Sequence, residues 1–334
     1  MNQRLAVVVI GRNEGERLTR CLRSIHEMKN PFAAMEVIYV DSASSDDSVS
    51  RASKAGARVI SLSSGPSTAA RGRNAGWRAT DADMVLFLDG DTILDPDFAA
   101  NALAAFAEPE VAVVWGHRRE LAPQASLYNR VLDLDWIYRP GITEFCGGDA
   151  LMRRAVLAEV GGYDEQLIAG EEPEMCGRMR ARGYRIMHID CAMTSHDLAM
   201  TTWQQYWKRA TRAGFAYASI SKRSRNTSQP LWVSDSRRNL VHGSILIGLP
   251  ILGVVASAIE HSVIPVSVVA LALLLLVVRT MRRVSWKSPD DGVTVFLYSV
   301  HSHLQQVPIM FGQIKFFCDR GGAHGLIEYK DAVR

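Results

Sequence analysis

The sequence predicts an α/β protein with a mostly parallel sheet, followed by a helical hairpin that crosses a membrane. Short apolar runs rich in β-branched residues alternate with helical patterns over residues 5–88. Polar side chains directly follow several of these runs, and two long apolar runs occupy much of residues 240–278. Alternating strands and helices indicate a parallel sheet, and apolar runs of that length indicate spanning helices.

The predicted elements follow one another at the spacing of βαβ units. Residues 5–10 form a continuous apolar run, as a strand buried on both faces requires. Ser45 is expected to cap the helix that ends at Gly56, because a serine hydroxyl accepts a hydrogen bond from the first helical turn. The predicted strands are 5–10, 36–40, 84–88 and one that starts at 58; helices are expected over 14–28, 45–56 and 69–79.

The carboxyl ends of these strands carry the first candidate site residues. Asn13 follows the first strand, Asp41 closes the second, and Asp89 and Asp91 follow the fourth. In open α/β sheets, ligands bind beyond the carboxyl ends of the strands. The chemistry is therefore expected at this edge of the sheet.

Composition excludes several classes of protein. The 38 basic and 35 acidic side chains give a net charge of +3, which is too balanced for nucleic acid to be the main partner. The five cysteines lack metal-type spacing and indicate reduced thiols in a cytosolic compartment. Residues 1–4 lead straight into a strand, so no secretory signal is expected.

Two apolar runs predict the membrane hairpin. Residues 240–259 are largely apolar and residues 263–278 almost purely so, each near the roughly 20 residues that a spanning helix requires. Arginines flank the pair on both outer sides, so both ends are expected in the cytoplasm; they are Arg237, Arg238, Arg279, Arg282 and Arg283. The alternative is a pair of buried helices in a soluble domain.

The remaining C-terminal segment is amphipathic. Polar side chains are spread among apolar ones over residues 293–317, which indicates an interfacial helix on the cytosolic leaflet rather than a third span. The expected organisation is a catalytic domain over residues 1–228, the hairpin over 229–284 and an interfacial segment over 285–334.

Asp89, Gly90 and Asp91 form a candidate metal motif. Two carboxylates separated by a small residue can share one hard cation, and Mg²⁺ and Mn²⁺ favour oxygen ligands. Such a cation neutralises a diphosphate leaving group, on which negative charge builds as the bond breaks. The alternative is an ordinary turn.

Other polar clusters have two interpretations each. Arg71 and Arg73 open a helix at the mouth of the sheet, where an arginine suits a phosphate, or they are a solvated pair. Asp41 suits a ribose or base ligand, or it caps the next helix, a role that Asp46 also suits. Glu171 and Glu172 begin a helix and offer a general base for an acceptor hydroxyl, or they merely complement the helix dipole.

Taken in order over residues 5–215, these motifs resemble those of the inverting family 2 glycosyltransferases of the GT-A fold. Ile10-Gly11-Arg12-Asn13-Glu14 resembles the opening strand and loop, and Arg73-Asn74-Ala75-Gly76 resembles the Ala-Arg-Asn-x-Gly segment, with Gly72 replacing the Ala. Asp89-Gly90-Asp91 matches the Asp-x-Asp motif. The donor residues so implied are Ile10, Arg12, Asn13, Glu14, Asp41, Arg71, Arg73, Asn74, Asp89, Gly90, Arg209 and Arg212.

The resemblance also implies a general base, a third metal ligand and a set of acceptor-binding residues. Glu172 falls where the family carries its catalytic Asp; this is a departure, and Glu171 stays the alternative base. His196 is a candidate third metal ligand beside Asp89 and Asp91, or a structural histidine. The expected acceptor residues are Gly147, Gly148, Asp149 and Trp136.

The function implied is transfer of a sugar from a nucleotide-sugar donor to a hydroxyl of a membrane-associated acceptor, with Mg²⁺ or Mn²⁺. A polyprenyl-linked glycan of exopolysaccharide or envelope assembly fits, with the catalytic domain on the cytoplasmic side of a bacterial inner membrane. Direct transfer onto polyprenyl phosphate and a non-catalytic membrane-tethered scaffold are the alternatives. Oligomeric state is open, a homo-oligomer being one option. No glycine-rich phosphate loop supports a nucleotidyltransferase or a dinucleotide-binding oxidoreductase.

Overall fold

The computed structural model describes residues 3–63 and 65–318. The strands are β1 (Arg4–Gly11), β2 (Ala34–Asp41), β3 (Arg58–Ser61), β4 (Met84–Asp89), β5 (Thr92–Leu94), β6 (Val111–Glu120), β7 (Gly141–Thr143), β8 (Ala150–Arg153) and β9 (Arg185–His196). The helices are α1 (Glu16–Glu27), α2 (Ser48–Lys54), α3 (Ala69–Arg78), α4 (Phe98–Ala105), α5 (Leu127–Asp133), α6 (Arg154–Val160), α7 (Glu171–Ala181), α8 (Trp203–Ser224), α9 (Val233–Ile259), α10 (Ile264–Val284), α11 (Gly292–Leu304) and α12 (Gln306–Cys318).

The first four strands form the parallel sheet that the sequence predicts. β1 lies between β2 and β4 and is parallel to both, and β3 extends the sheet beside β2. The register places Gly11 opposite Asp41 and Ile10 opposite Asp89. The strand ends that carry polar side chains therefore meet at one edge.

Beyond β4 the sheet is mixed. β8 is antiparallel to both β4 and β6, while β9 is parallel to β6 and antiparallel to β5 and β7. Only Gly90 and Asp91 separate β4 from β5, yet β5 does not pair with β4 and lies at the far end of the sheet beside β9. The fold class is α/β as expected; its parallel pairs are those among the first four strands in chain order and the β6–β9 pair.

One predicted helix start is wrong. α2 begins at Ser48, and Ser45 lies in the preceding loop, where its backbone N–H donates to Oδ1 of Asn13 at 2.8 Å. This contact across the loop replaces the capping role expected for Ser45. Ser45 instead connects the loop after β2 to the loop after β1.

α9 and α10 are long and apolar enough to cross a membrane. Their candidate spans contain 27 and 24 residues, with mean hydropathy of 2.0 and 2.4. No residue of α10 is buried, and only four residues of α9 are. Packing within the described chain therefore does not cover their apolar side chains, which disfavours core helices of a soluble domain.

The amphipathic C-terminal segment contains two helices within the described residues, because the chain turns at Gln305 between α11 and α12. α12 packs closely on α8, and a Cβ added to Gly312 would lie 2.0 Å from the carbonyl oxygen of Thr211. On its outer side α12 exposes Phe311 and Phe317. Residues 319–334 of the predicted interfacial segment lie outside the described residues.

The close approach of α12 to α8 generates a stability prediction. Gly312→Ala is expected to destabilise the chain by about 1–3 kcal/mol, because the new methyl group overlaps the α8 backbone. Gly248→Ala is the matched control, since a Cβ at Gly248 meets nothing within 4 Å and alanine favours a helix. Thermal unfolding in nanodiscs measures both, and equal midpoints for the two variants would contradict the packing.

Candidate active site

A cavity of about 450 Å³ lies at the carboxyl edge of the parallel half of the sheet. Its volume is in the range of small-molecule sites. The ends of β1, β4 and β9 line it, together with the starts of α3 and α7 and one face of α8. The predicted site residues in its lining are Ile10, Arg12, Arg73, Asp89, Asp91, Trp136, Glu171, Glu172, His196, Arg209 and Arg212.

Asp89, Asp91 and His196 form a candidate metal group. Their ligand atoms all lie within 4.8 Å of one another, and Nε2 of His196 is 3.3 Å from Oδ1 of Asp91. The sheet causes this proximity, because antiparallel pairing places Thr92 of β5 opposite His196 of β9. Nδ1 of His196 is buried without a hydrogen-bond partner among the described residues. Two carboxylates and one imidazole are a donor set that fits Mn²⁺ or Mg²⁺.

Arg73 joins three carboxylates beneath the cavity. Its guanidinium lies 3.0 Å from Asp89, 2.9 Å from Glu171 and 3.0 Å from Glu172, and its side chain is only 2% exposed. The arginine lies on α3. Thr68 caps the start of that helix by accepting a hydrogen bond from the N–H of Arg71. The sequence predicts a phosphate contact for Arg73, whereas each ion pair observed for it is with a carboxylate.

The pKa values of the carboxyl groups differ because their surroundings differ. Burial, with the neighbouring charge of Glu171, raises the pKa of Glu172 to about 7, although Arg73 opposes the shift. Burial also opposes ionisation of Asp89, but Arg73 and Arg118 outweigh it and lower the pKa of Asp89. Glu172 is thus poised to exchange a proton near neutral pH, while Asp89 stays ionised.

Gly148 lets the carboxylates and Arg73 come together. A Cβ at this position would lie 2.6 Å from Nη2 of Arg73, 3.1 Å from Oδ2 of Asp89 and 3.4 Å from Oε1 of Glu172. Any larger residue would displace one of the three groups. Gly147, in contrast, has open space around it.

Three predicted binding residues turn out to have structural contacts. Asn74 is fully buried; its amide donates to the carbonyl of Tyr163 and its oxygen accepts from Trp77, so the proposed donor contact is wrong for it. Asp149 is buried behind Asp89 and accepts its backbone N–H at 3.0 Å, which removes it from the acceptor surface. Burial raises the pKa of Asp149.

Asp41 is the third of these residues. It is 2% exposed, and its carboxylate accepts hydrogen bonds from the hydroxyl of Tyr39 at 3.1 Å and from the backbone N–H of Ser44 at 2.9 Å. It therefore closes the turn after β2 and does not line the cavity, as the donor role would require. The alternative capping interpretation is nearer to the observed contacts.

Other donor residues surround the cavity without lining it. Asn13 and Glu14 hold the loop after β1, since their backbone N–H groups donate to Ser44 and Ser48. The backbone N–H of Gly90 donates to the carbonyl of Ile10 at 2.8 Å, which ties β4 to β1. Arg71 donates to the carbonyl of Pro66 and lies outside the lining.

Two cationic residues at the cavity were missed by the sequence analysis. Nη2 of Arg118, on β6, donates to Asp89 at 3.4 Å, and its guanidinium lies 4.9 Å above the ring of Trp136. Lys208 lines the cavity beside Arg209 and Arg212 on α8. The available signal for Arg118 was a charged residue shortly after the buried apolar run of β6, but only the strand order β4–β8–β6 brings it to Asp89.

Comparisons with solved structures identify the fold. The mannosyltransferase PcManGT from Pyrobaculum calidifontis, solved with GDP-Man and Mn²⁺, matches with a TM-score of 0.71 at 18% identity, covering 96% of this chain and 89% of that one. Glucosyl-3-phosphoglycerate synthase from Mycobacterium tuberculosis matches with a TM-score of 0.50 at 19% identity, covering 66% of this chain and 80% of that one. The predicted GT-A fold is confirmed.

Comparisons with curated sequences agree. Pre-mycofactocin glycosyltransferase of Mycobacterium tuberculosis is 27% identical over 247 residues, 69% of this chain and 50% of that protein. O-antigen chain rhamnosyltransferase RfbN of Salmonella typhimurium is 29% identical over 187 residues, 51% of this chain and 60% of that protein. The chain thus spans between half and three fifths of the length of these two relatives.

Family models cover most of the chain. The model described as "Glycosyl transferase family 2" matches residues 6–161, and the model described as "Glycosyl transferase family group 2" matches residues 84–286. The second match alone exceeds half of the chain and includes the metal group, the base candidates and α8. This chain therefore belongs to the family 2 glycosyltransferases.

Proposed function

We propose that the chain transfers a glycosyl group from a nucleoside-diphosphate sugar to a hydroxyl of a membrane-associated acceptor, with inversion at the anomeric carbon. The observation that carries this proposal is the geometry of one cavity. A carboxylate–imidazole metal group and a buried glutamate with a pKa of about 7 share its lining, and Arg73 contacts both sets of carboxylates.

The donor side of the cavity suits a diphosphate. Asp89, Asp91 and His196 would hold Mn²⁺ or Mg²⁺, which supplies positive charge to the diphosphate as it leaves. Arg209 and Arg212 line the opposite wall on α8, where a guanidinium matches phosphate oxygens in pairs. Nε of Arg212 also donates to the carbonyl of Ile168 at 3.1 Å, so this contact already orients its guanidinium.

Glu172 is the proposed general base. In a single displacement the acceptor oxygen forms a bond to the anomeric carbon, its proton passes to the Glu172 carboxylate, and the bond to the diphosphate oxygen breaks with its electron pair. Arg73 positions the base together with Glu171. Its guanidinium forms salt bridges with both Glu171 and Glu172, the first two residues of α7. No covalent sugar–enzyme intermediate is required.

The membrane part of the proposal rests on α9 and α10. Both helices are long and apolar enough to cross a bilayer, and arginines flank the pair, which favours a hairpin with cytoplasmic ends. The catalytic domain would then face the cytoplasm of a bacterial inner membrane, and a lipid-linked glycan would reach it at the membrane surface. The similarity to an O-antigen chain rhamnosyltransferase favours a role in envelope glycan assembly.

Metal-dependent binding of the donor product tests the donor half. Calorimetry of GDP, UDP and TDP with the full chain in nanodiscs is expected to show one nucleotide bound with Mn²⁺ and weakened by EDTA. Asp91→Asn should weaken that binding at least about tenfold, because it removes a ligand of the metal group.

Asp97→Asn is the control for this measurement. Asp97 is a half-exposed carboxylate that pairs with Lys29 after the end of α1 and lies outside the cavity, so nucleotide binding should be unchanged. Binding that survives both EDTA and Asp91→Asn would contradict the metal assignment.

The raised pKa of Glu172 predicts the pH profile of the reaction. Only the ionised carboxylate accepts a proton, so the transfer rate should fall as the pH decreases through a midpoint near pH 7. One pH unit below that midpoint the rate should be about a tenth of its value at high pH. Glu172→Gln should lower the rate by about 10²–10⁴-fold and abolish this limb. Initial rates measured between pH 5 and 9 check both.

Glu174→Gln is the matched control on the same helix, because Glu174 forms a salt bridge with Arg178 away from the cavity. Its rate and its pH profile should stay near those of the unmodified chain. A Glu172→Gln variant with most of its activity would instead favour an acceptor that is already ionised, such as a polyprenyl phosphate.

A further inference from the structure

A second cavity, of about 800 Å³, lies where α9 begins. We call it the α9 groove; its lining includes Glu144, Trp232, Asp235, Arg237 and Arg238. None of its lining residues belongs to the donor cavity. No role proposed above uses it.

Two backbone segments connect the α9 groove to the proposed base. A Cβ at Gly170, which lines the donor cavity two residues before Glu172, would lie 3.2 Å from Cζ3 of Trp232. Glu144 begins the other segment, which reaches Gly148 beside Glu172 after four residues, at most about 14 Å of chain. The groove therefore opens next to the acceptor side of the catalytic cavity.

Trp232, the aromatic residue of the lining, is the first chemical feature of the α9 groove. The indole of Trp232 packs against Tyr217 with ring centroids 4.6 Å apart and against Phe145 at 6.1 Å. Such rings offer a large rigid apolar face with a polar edge. The C–H face of a sugar ring stacks on a surface of this kind.

Charge is the second feature, and it decides between classes of ligand. Glu144 and Asp235 balance Arg237 and Arg238, and Asp235 pairs with Arg238 at 2.5 Å. A phosphate requires an excess of guanidinium groups, whereas sugar hydroxyls both donate and accept and so match carboxylates and guanidiniums together. The balance therefore favours an uncharged glycan over an anionic headgroup.

Backbone conformation supports a functional role for Trp232. Its φ of +57° lies in the left-handed region, which is an outlier for a bulky side chain. Strained residues of this kind persist where the surroundings hold them, and they cluster at ligand sites. Here the surroundings that keep this conformation also keep the indole against Gly170.

We infer that the α9 groove binds the glycan part of the acceptor, with Trp232 as the surface on which a sugar ring stacks. Glu144 and Arg237, which pair with no other described side chain, supply hydrogen bonds to its hydroxyls. This inference rests on the proposed function and adds an acceptor site to it. The position of Val241 in the lining places the apolar side of the groove along α9, where the lipid tail of such an acceptor would lie.

The test uses the full chain in nanodiscs with the nucleotide sugar whose nucleotide binds. Hexyl glucoside, galactoside, mannoside and rhamnoside serve as acceptor probes, with hexyl phosphate as the anionic counterpart. Trp232→Ala is expected to raise KM for the preferred glycoside at least about tenfold, while Trp232→Phe keeps most of the affinity because it keeps the aromatic face. Glu144→Gln should raise the same KM without altering the fold, since the side chain is exposed.

Trp203→Ala is the matched control, because Trp203 is an exposed tryptophan outside both cavities. Nucleotide binding should be unchanged in all variants. An unchanged glycoside KM in Trp232→Ala and Glu144→Gln overturns the groove while the proposed function stands. A nucleotide-binding chain that accepts no glycoside also overturns the groove, and one that prefers hexyl phosphate to every glycoside overturns both the groove and the hydroxyl acceptor of the proposed function. If the unmodified chain bound no nucleotide, the proposed function itself would be overturned.

Discussion

The ion pairs of Arg73 are the constraint on which the rest of the site depends. Its buried guanidinium holds Asp89 at the end of β4 and Glu171 and Glu172 at the start of α7, so two distant parts of the chain share one cation. Removing one partner from a buried pair is costly, because the remaining charge stays desolvated. A guanidinium suits this role better than an ammonium, since its rigid fork donates in several directions at once. Gly148 is needed because no side chain fits above this cluster.

An excess of carboxylates gives the site its chemistry. Arg73 and Arg118 are the cations in direct contact with the carboxyl groups below the cavity, and they do not balance Asp89, Asp149, Glu171 and Glu172. Burial then raises the pKa of Glu172 and of Asp149, while contact with both guanidiniums lowers the pKa of Asp89. The same excess makes a divalent cation favourable at the metal group. The proposed metal binding and base chemistry would thus follow from one electrostatic arrangement.

The C-terminal helices also contribute to the cavity. α8 carries Arg209 and Arg212 toward it, and α12 packs against the other side of α8, where Gly214 and Gly312 allow the two backbones to approach. α12 in turn meets α9 at Gly243, beside Met310. The candidate membrane spans are thereby linked to the cavity wall that carries Arg209 and Arg212. An acceptor arriving along α9 and a donor held under α8 would meet at Glu172.

The sequence by itself determined the α/β class, the strand ends at which the site lies, and the candidate spans, because these depend on local periodicity and on runs of apolar residues. It also indicated Asp89 and Asp91 through their position directly after a strand, whereas Glu172 was preferred to Glu171 only through the resemblance to the family. Only the tertiary structure decided that Asn74 holds a turn and that Arg118 reaches Asp89. Such contacts join residues far apart in the chain, and the placement of β8 between β4 and β6, which brings Arg118 to Asp89, depends on strand order and register that no local pattern specifies.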